Sequence, residues 1–135
     1  MRRLIIFLMI LAAFPGCTGA RASSPLAILG RLDSAEVTVR GAMGGTPSHS
    51  TVVRDSVTLA HLRMIASEPG DWHPNEGGTP PAGDLRAALY RGTVYVGVIS
   101  AGRNWVGARD AEGNARFRTM TGVDSLRIAQ IRALK

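Results

Sequence analysis

The sequence has little cysteine, lysine or aromatic residue: Cys17 and Lys135 are the only residues of their types, and aromatics make up 5% of the chain. One cysteine cannot close a disulfide within the chain, so packing rather than cross-linking must stabilise the fold. It also excludes zinc sites built on several cysteines. Three histidines leave little material for a catalytic zinc site, and we predict neither a metal nor a cofactor.

The sequence also lacks an apolar run long enough to span a bilayer. Residues 4–14 are uninterrupted apolar residues, but a spanning helix needs roughly 20. Arg2 and Arg3 precede this run, and Pro15 and Gly16 end it. A basic start, a short apolar stretch and a break are typical of an export signal. We therefore predict a signal peptide over residues 1–22.

Two cleavage sites are compatible with this signal. Residues 14–17, Phe-Pro-Gly-Cys, resemble a lipobox, in which a small residue precedes the acylated cysteine of bacterial lipoproteins; Gly16 and Cys17 match that motif. The resemblance implies lipid attachment at Cys17 and anchoring to a membrane. Ordinary cleavage after Ala22 is the alternative, because residues 20–22 have the A-x-A form. Both predict an exported protein, either periplasmic or membrane-anchored at the cell envelope.

The charge of the chain is modest once the signal is set aside. Arg2, Arg3 and Arg21 carry half of the formal net charge of +6. The other arginines are scattered along the sequence, as expected of an arginine-rich codon usage, whereas a nucleic-acid interface concentrates them on one face. We predict no nucleic-acid partner.

The remaining chain predicts one small α+β domain. Residues 23–34 are interpreted as a tether or lead-in, and residues 35–135 as the domain. Residues 35–40 alternate apolar and polar side chains, which is typical of a half-buried strand. Further strands are predicted near residues 50–54, 85–90, 93–100, 104–109 and 116–120. The result is an antiparallel sheet of about five to six strands, in the order β-β-α-β-β-β-β-α, with two helices packed on one face.

Each predicted helix has a capping residue and an apolar stripe. Asp55 is placed to cap the first helix, and Thr121 with Asp124 forms a capping box for the second. The first stripe consists of Val57, Leu59, Leu62, Ile65 and Ala66. The second consists of Val123, Leu126, Ala129, Ile131 and Leu134.

Residues 68–83 form a long segment with four prolines and four glycines, a kind of segment that is often functional or disordered. Tryptophan and arginine are enriched in interface hot spots, so we predict a partner-contact surface formed by Trp72, His73, Arg103 and Trp105. The alternative is that both tryptophans cap the open edge of the sheet core.

Catalytic motifs are weak. Asp71, His73 and Glu76 lie close in sequence, but their spacing matches no regular zinc pattern. Residues 48–50, Ser-His-Ser, would point to opposite faces of a strand, so the serine and the histidine would not meet. The glycine-rich residues 41–49 lack the lysine of a phosphate-binding loop.

The sequence therefore favours a non-catalytic binding or scaffolding protein of the cell envelope, with a possible envelope protein as partner. Two alternatives stay open: a small extracytoplasmic enzyme that uses Asp71, His73 or His49, and an anion-binding module.

Overall fold

A computed structural model describes residues 23–26, 29–41, 48–74 and 83–135. Its elements, in chain order, are β1 (Ser34–Val39), β2 (His49–Val53), α1 (Ser56–Ser67), β3 (Leu85–Arg91), β4 (Val94–Ala101), β5 (Trp105–Asp110), β6 (Ala115–Thr119) and α2 (Gly122–Arg132). The predicted signal peptide, including Cys17, lies outside the described residues. No helix in the described ranges is both long and apolar enough to cross a membrane.

The six strands form one antiparallel sheet in the spatial order β2-β1-β3-β4-β5-β6. The α+β prediction and its element order are thereby confirmed. The β3–β4 hairpin turns at Gly92 and Thr93, and Gly92 adopts a φ of 59°. Glycine suits this position because a left-handed backbone costs it no Cβ clash.

The sheet has two different faces, because successive side chains of a strand point to opposite sides. The core face carries small and medium apolar residues from the four inner strands: Ala35 and Val37, Leu85, Ala87 and Leu89, Ile99 and Ala101, and Val106 and Ala108. Both helices pack on this face and complete the hydrophobic core. We call the other side, which no described helix covers, the open face.

Both predicted caps are present. The Thr58 backbone N–H donates to Asp55 Oδ1 at 2.8 Å, and α2 begins with the complete capping box of Thr121 and Asp124. These contacts satisfy backbone donors that a helix start leaves without a partner.

The apolar stripes are partly wrong. In α1 the buried set is Thr58, Leu59, Leu62, Ile65 and Ala66, whereas Val57 is 64% exposed. In α2 the prediction fails further: Val123 and Leu126 are 51% and 69% exposed, and Ala129 is exposed. Two members of the predicted stripe are correct, because Ile131 is buried and Leu134, just beyond the helix, packs against the core. The other buried residues of α2 are Asp124 and Ile128, so the inner side of this helix begins with a carboxylate.

That carboxylate belongs to a buried ion pair. Both terminal nitrogens of Arg118, on β6, donate to the Asp124 carboxylate, and Nη2 also donates to the Ile65 carbonyl of α1 at 3.1 Å. The guanidinium lies 4.9 Å from the centre of the Trp72 ring. Burial opposes ionisation of Asp124, but hydrogen bonds from Arg118 and Thr121 outweigh it and hold the pKa of Asp124 below its ordinary value. One arginine thus joins β6, both helices and Trp72.

The described lead-in residues also contact the domain. Leu26 and Leu32 are buried at 4% and 6% exposure and belong to the same core cluster as Leu89 and Ile99. This part of residues 23–34 is therefore packed against the sheet.

Candidate functional site

The candidate site is a groove on the open face, with a cavity volume of about 270 Å³. It lies beside the ends of β1 and β3 and extends across β4 and β5 to β6. It is lined by Thr38, Arg40, Gly83, Asp84, Leu85, Arg86, Val98, Ser100, Trp105, Gly107, Ala108, Arg109, Ala115 and Phe117.

The floor of the groove is a single row of residues that are paired across adjacent strands. Arg86 pairs with Thr38 on one side and with Ser100 on the other. Ser100 pairs with Gly107, which in turn pairs with Phe117. The middle of this row consists of a serine and a glycine. Larger side chains rise on both sides of these small residues, and the sheet surface is therefore concave.

Trp105 and Phe117 form the aromatic wall of the groove. Their ring centroids are 5.6 Å apart at an interplanar angle of 65°, a favourable edge-to-face arrangement. A Cβ at position 107 would lie 2.7 Å from Phe117 Cε1, and one at position 83 would lie 3.2 Å from Trp105 Cη2. The indole also lies directly against Gly102. The rings can fold down onto the sheet because these positions are glycine.

Three arginines surround the groove: Arg40, Arg86 and Arg109. All three side chains are exposed. Within the described ranges, none of them has an ion pair or a side-chain hydrogen bond. Their guanidinium groups are therefore available for an anion from outside the chain.

One acidic residue is present among the described lining residues, and it already has a partner. Asp84 Oδ1 accepts a hydrogen bond from Arg132 Nη2 at 2.6 Å. Arg132 also donates to the Gly102 carbonyl at 3.2 Å, next to Trp105. The Asp84 charge is thus balanced from the helix side, and the groove keeps a positive excess.

The structure separates the four predicted contact residues. Trp72 is only 2% exposed, and its Nε1 donates to the Glu68 carbonyl at 3.0 Å, so its ring is part of the core rather than of a surface. Trp105 lines the groove. Arg103 is exposed in the turn before β5, and it is not a lining residue. His73 is exposed and forms an isolated antiparallel bridge with Phe117.

His49 and His73 lie at opposite edges of the sheet. His49 is on β2, at one edge of the sheet, where its Nε2 contacts the Leu134 carbonyl at 3.1 Å. His73 pairs with β6 at the opposite edge. Five strand spacings of about 4.8 Å separate these edges by about 24 Å. Glu76 lies outside the described residues, and the described part of the chain holds no group of three or more His, Cys, Asp or Glu positioned for a metal ion.

A second cavity, of about 320 Å³, lies between the described lead-in residues 23–26 and Leu29 on one side and the β5–β6 turn on the other. Its charged groups include Arg91, whose Nε donates to the Arg31 carbonyl, and Asp110, which accepts two hydrogen bonds from Asn114. The open-face groove is the stronger candidate for a ligand site because it combines three arginines that have no partner among the described residues with two aromatic rings.

The predicted contact surface includes Trp105 but not the residues that surround it in the groove. The sequence predicts Phe117 and Ser100 only as strand residues, and it gives no sign that three arginines meet at one site. The alternation of side chains along β3 places Arg86 on the face opposite Leu85, and this is the sequence signal that indicates an arginine on the open face. Which arginines become neighbours depends on strand order and register, which alternation alone does not reveal.

No protein-family model matches this chain, and no curated protein or solved structure matches it either.

Proposed function

We propose that this protein is a non-catalytic binding protein of the cell envelope, and that its ligand site is the open-face groove. The observation that carries the proposal is the combination of a concave floor, an aromatic wall and three arginines without partners among the described residues. Binding sites for small molecules are commonly concave, largely apolar and equipped with a few polar groups that fix orientation.

The composition of the groove supports binding rather than catalysis. A general base must lie within hydrogen-bond reach of the proton that it removes. Asp84, the acidic residue among the described lining residues, is held by Arg132, and no histidine is among those residues. Ser100 therefore has no base beside it in the described groove, as a serine nucleophile would require.

The proposed location in the cell envelope is supported by the sequence alone. A basic start, a short apolar run and two candidate cleavage sites indicate export. Acylation of Cys17 would hold the domain close to a membrane, because Leu26, nine residues later in the sequence, is buried in the core. Intact mass spectrometry of protein from its native host tests this location. We expect the mass of residues 17–135 plus acyl chains if Cys17 is acylated, or the mass of residues 23–135 if cleavage follows Ala22. A full-length mass in the cytosol would contradict export.

The binding function is tested by filling the groove. The change Ser100→Leu places a larger side chain between Arg86 and Gly107 on the groove floor without touching the core face. We expect it to abolish binding of aromatic fluorescent probes, monitored through the groove tryptophan Trp105. The matched control is Ser125→Leu, which introduces the same side chain at an exposed position of α2. Equal probe binding by both variants would overturn the proposal.

A further inference from the structure

We propose that the ligand of the groove is an organic anion that carries a planar ring. The acidic group is held by Arg86 and Arg109 above Ser100, and the ring packs against Trp105 and Phe117. This inference rests on the proposed function, because it assigns a chemical class to the ligand of the same groove.

The charge of the groove indicates the acidic group. Arg40, Arg86 and Arg109 surround it, and the charge of Asp84 is already balanced by Arg132. Guanidinium groups bind carboxylate and phosphate oxygens through two parallel hydrogen bonds. An anionic ligand supplies the counter-charge that these three exposed arginines lack among the described residues, whereas an uncharged ligand does not.

The pairing of the strands places Arg86 and Arg109 on either side of Ser100. Arg86 on β3 is the direct neighbour of Ser100 on β4, and Ser100 faces Gly107 on β5, two residues before Arg109. From strand spacing and rise per residue, the Cα atoms of Arg86 and Arg109 are about 12 Å apart. Two arginine side chains can span that distance together, with the Ser100 hydroxyl between them. The acidic group therefore belongs above Ser100.

The ring position is indicated by the aromatic wall. Gly107 separates Ser100 from Phe117 along the floor, and the Phe117 ring folds down over Gly107, so that this ring borders the floor beside Ser100. Trp105 is only half-buried, so part of its indole surface is free for contact. Two strand spacings, about 10 Å, separate the Ser100 and Phe117 columns. A ligand that places an acid at one end and a ring at the other fits this length.

Two probes with the same rings separate charge from apolar contact. The sulfonate 8-anilinonaphthalene-1-sulfonate carries an anion, and N-phenyl-1-naphthylamine has the same rings without it. With the full domain, we expect the sulfonate to bind at least tenfold more tightly than the uncharged probe. We also expect Ser100→Leu to abolish its binding. Equal affinities at the groove would overturn the anionic ligand while leaving the proposed function intact.

Arginine variants locate the acidic group. Arg86→Gln and Arg109→Gln should each weaken sulfonate binding by about tenfold, since a hydrogen-bonded charged contact is lost. The uncharged probe should bind both variants as it binds the wild type. Arg63→Gln, an equal charge change on the exposed side of α1, is the matched control and should have no effect. Equal loss in all three variants would show only general attraction and would overturn the assignment.

Competition identifies the acidic group and excludes other occupants. Displacement of the sulfonate by benzoate or phenyl phosphate supports the proposal, and the stronger competitor tells whether a carboxylate or a phosphate is preferred. Displacement by inorganic phosphate alone would contradict the need for a ring.

A molecular mass twice that of the chain, lost in Ser100→Leu, would show that a second copy covers the groove and would also overturn the proposal. Failure of both probes to bind at all would overturn the proposed function itself.

Discussion

Arg118 and Asp124 form a two-point ion pair in the interior, and their side chains are 3% and 0% exposed. Removing one partner of such a pair leaves an uncompensated buried charge, which costs about 3–5 kcal/mol. We therefore expect Asp124→Asn and Arg118→Met each to lower the free energy of unfolding by about that amount, measured by urea denaturation.

The double variant is the control for this prediction. Arg118→Met with Asp124→Asn combines the same two substitutions and removes both charges, so no buried charge remains and much of the loss should be recovered. A double variant as unstable as the sum of the single ones would show that the two residues do not act as a pair.

The same carboxylate should make the fold sensitive to acid. The pKa of Asp124 is lowered in the folded protein, so its stabilising effect is fully present above its unfolded pKa of about 3.9. It is lost as the pH falls through the lower, folded pKa. We expect the free energy of unfolding to decrease below about pH 4, and to decrease less steeply in Asp124→Asn.

Some acid dependence should persist in Asp124→Asn. A backbone hydrogen bond from Thr58 lowers the pKa of Asp55, and the Asn114 side chain lowers that of Asp110. Identical slopes for wild type and variant, recorded by denaturation at a series of pH values, would mean that Asp124 contributes nothing to the acid response.

The two tryptophans should differ in their access to solvent. Trp72 is 2% exposed, whereas Trp105 is half-buried beside three arginines. We expect iodide to quench wild-type fluorescence through Trp105, and caesium to quench it less, because the groove attracts anions and repels cations. In Trp105→Phe, only Trp72 remains and iodide quenching should nearly disappear. Strong quenching of that variant would place Trp72 at the surface.

Gly107 should be required for the aromatic wall. A methyl group at this position would meet the Phe117 ring at 2.7 Å, so Gly107→Ala must displace one or both rings. We expect a loss of about 1–3 kcal/mol in unfolding free energy, as is typical of overpacking, together with weaker probe binding. Gly122→Ala, at the start of α2 with no atom within 4 Å of the new methyl, is the control and should be neutral or slightly stabilising.

Local patterns were sufficient to predict the element order and both caps. The alternation around Val37 and the capping residues Asp55 and Thr121 act over a few residues, and local sequence determines such features. The α2 stripe is only partly correct, because the inner side of this helix begins with Asp124, whose burial depends on Arg118 from a different element. Hydrophobic periodicity assigns every carboxylate to the surface, because the pattern contains no information about a partner from another element.

The groove was less predictable for a related reason. Trp105 was identified from its residue type, but Phe117 and the arginines become neighbours only through the order and register of six strands. Trp72 is predicted to lie at a contact surface because tryptophan is enriched in interface hot spots. Instead its ring is held beneath the sheet edge by Glu68 and Arg118, which lie 4 and 46 positions away in sequence.

The most direct test of the open-face groove as the binding site is a two-dimensional ¹H–¹⁵N spectrum recorded during titration with 8-anilinonaphthalene-1-sulfonate. The chain has two tryptophans and therefore two indole N–H signals, one in the groove and one in the core. We expect the Trp105 indole and the Gly107 amide to shift with saturation while the Trp72 indole stays in place. A stationary Trp105 signal, or an equal shift of both indoles, would contradict binding in the groove.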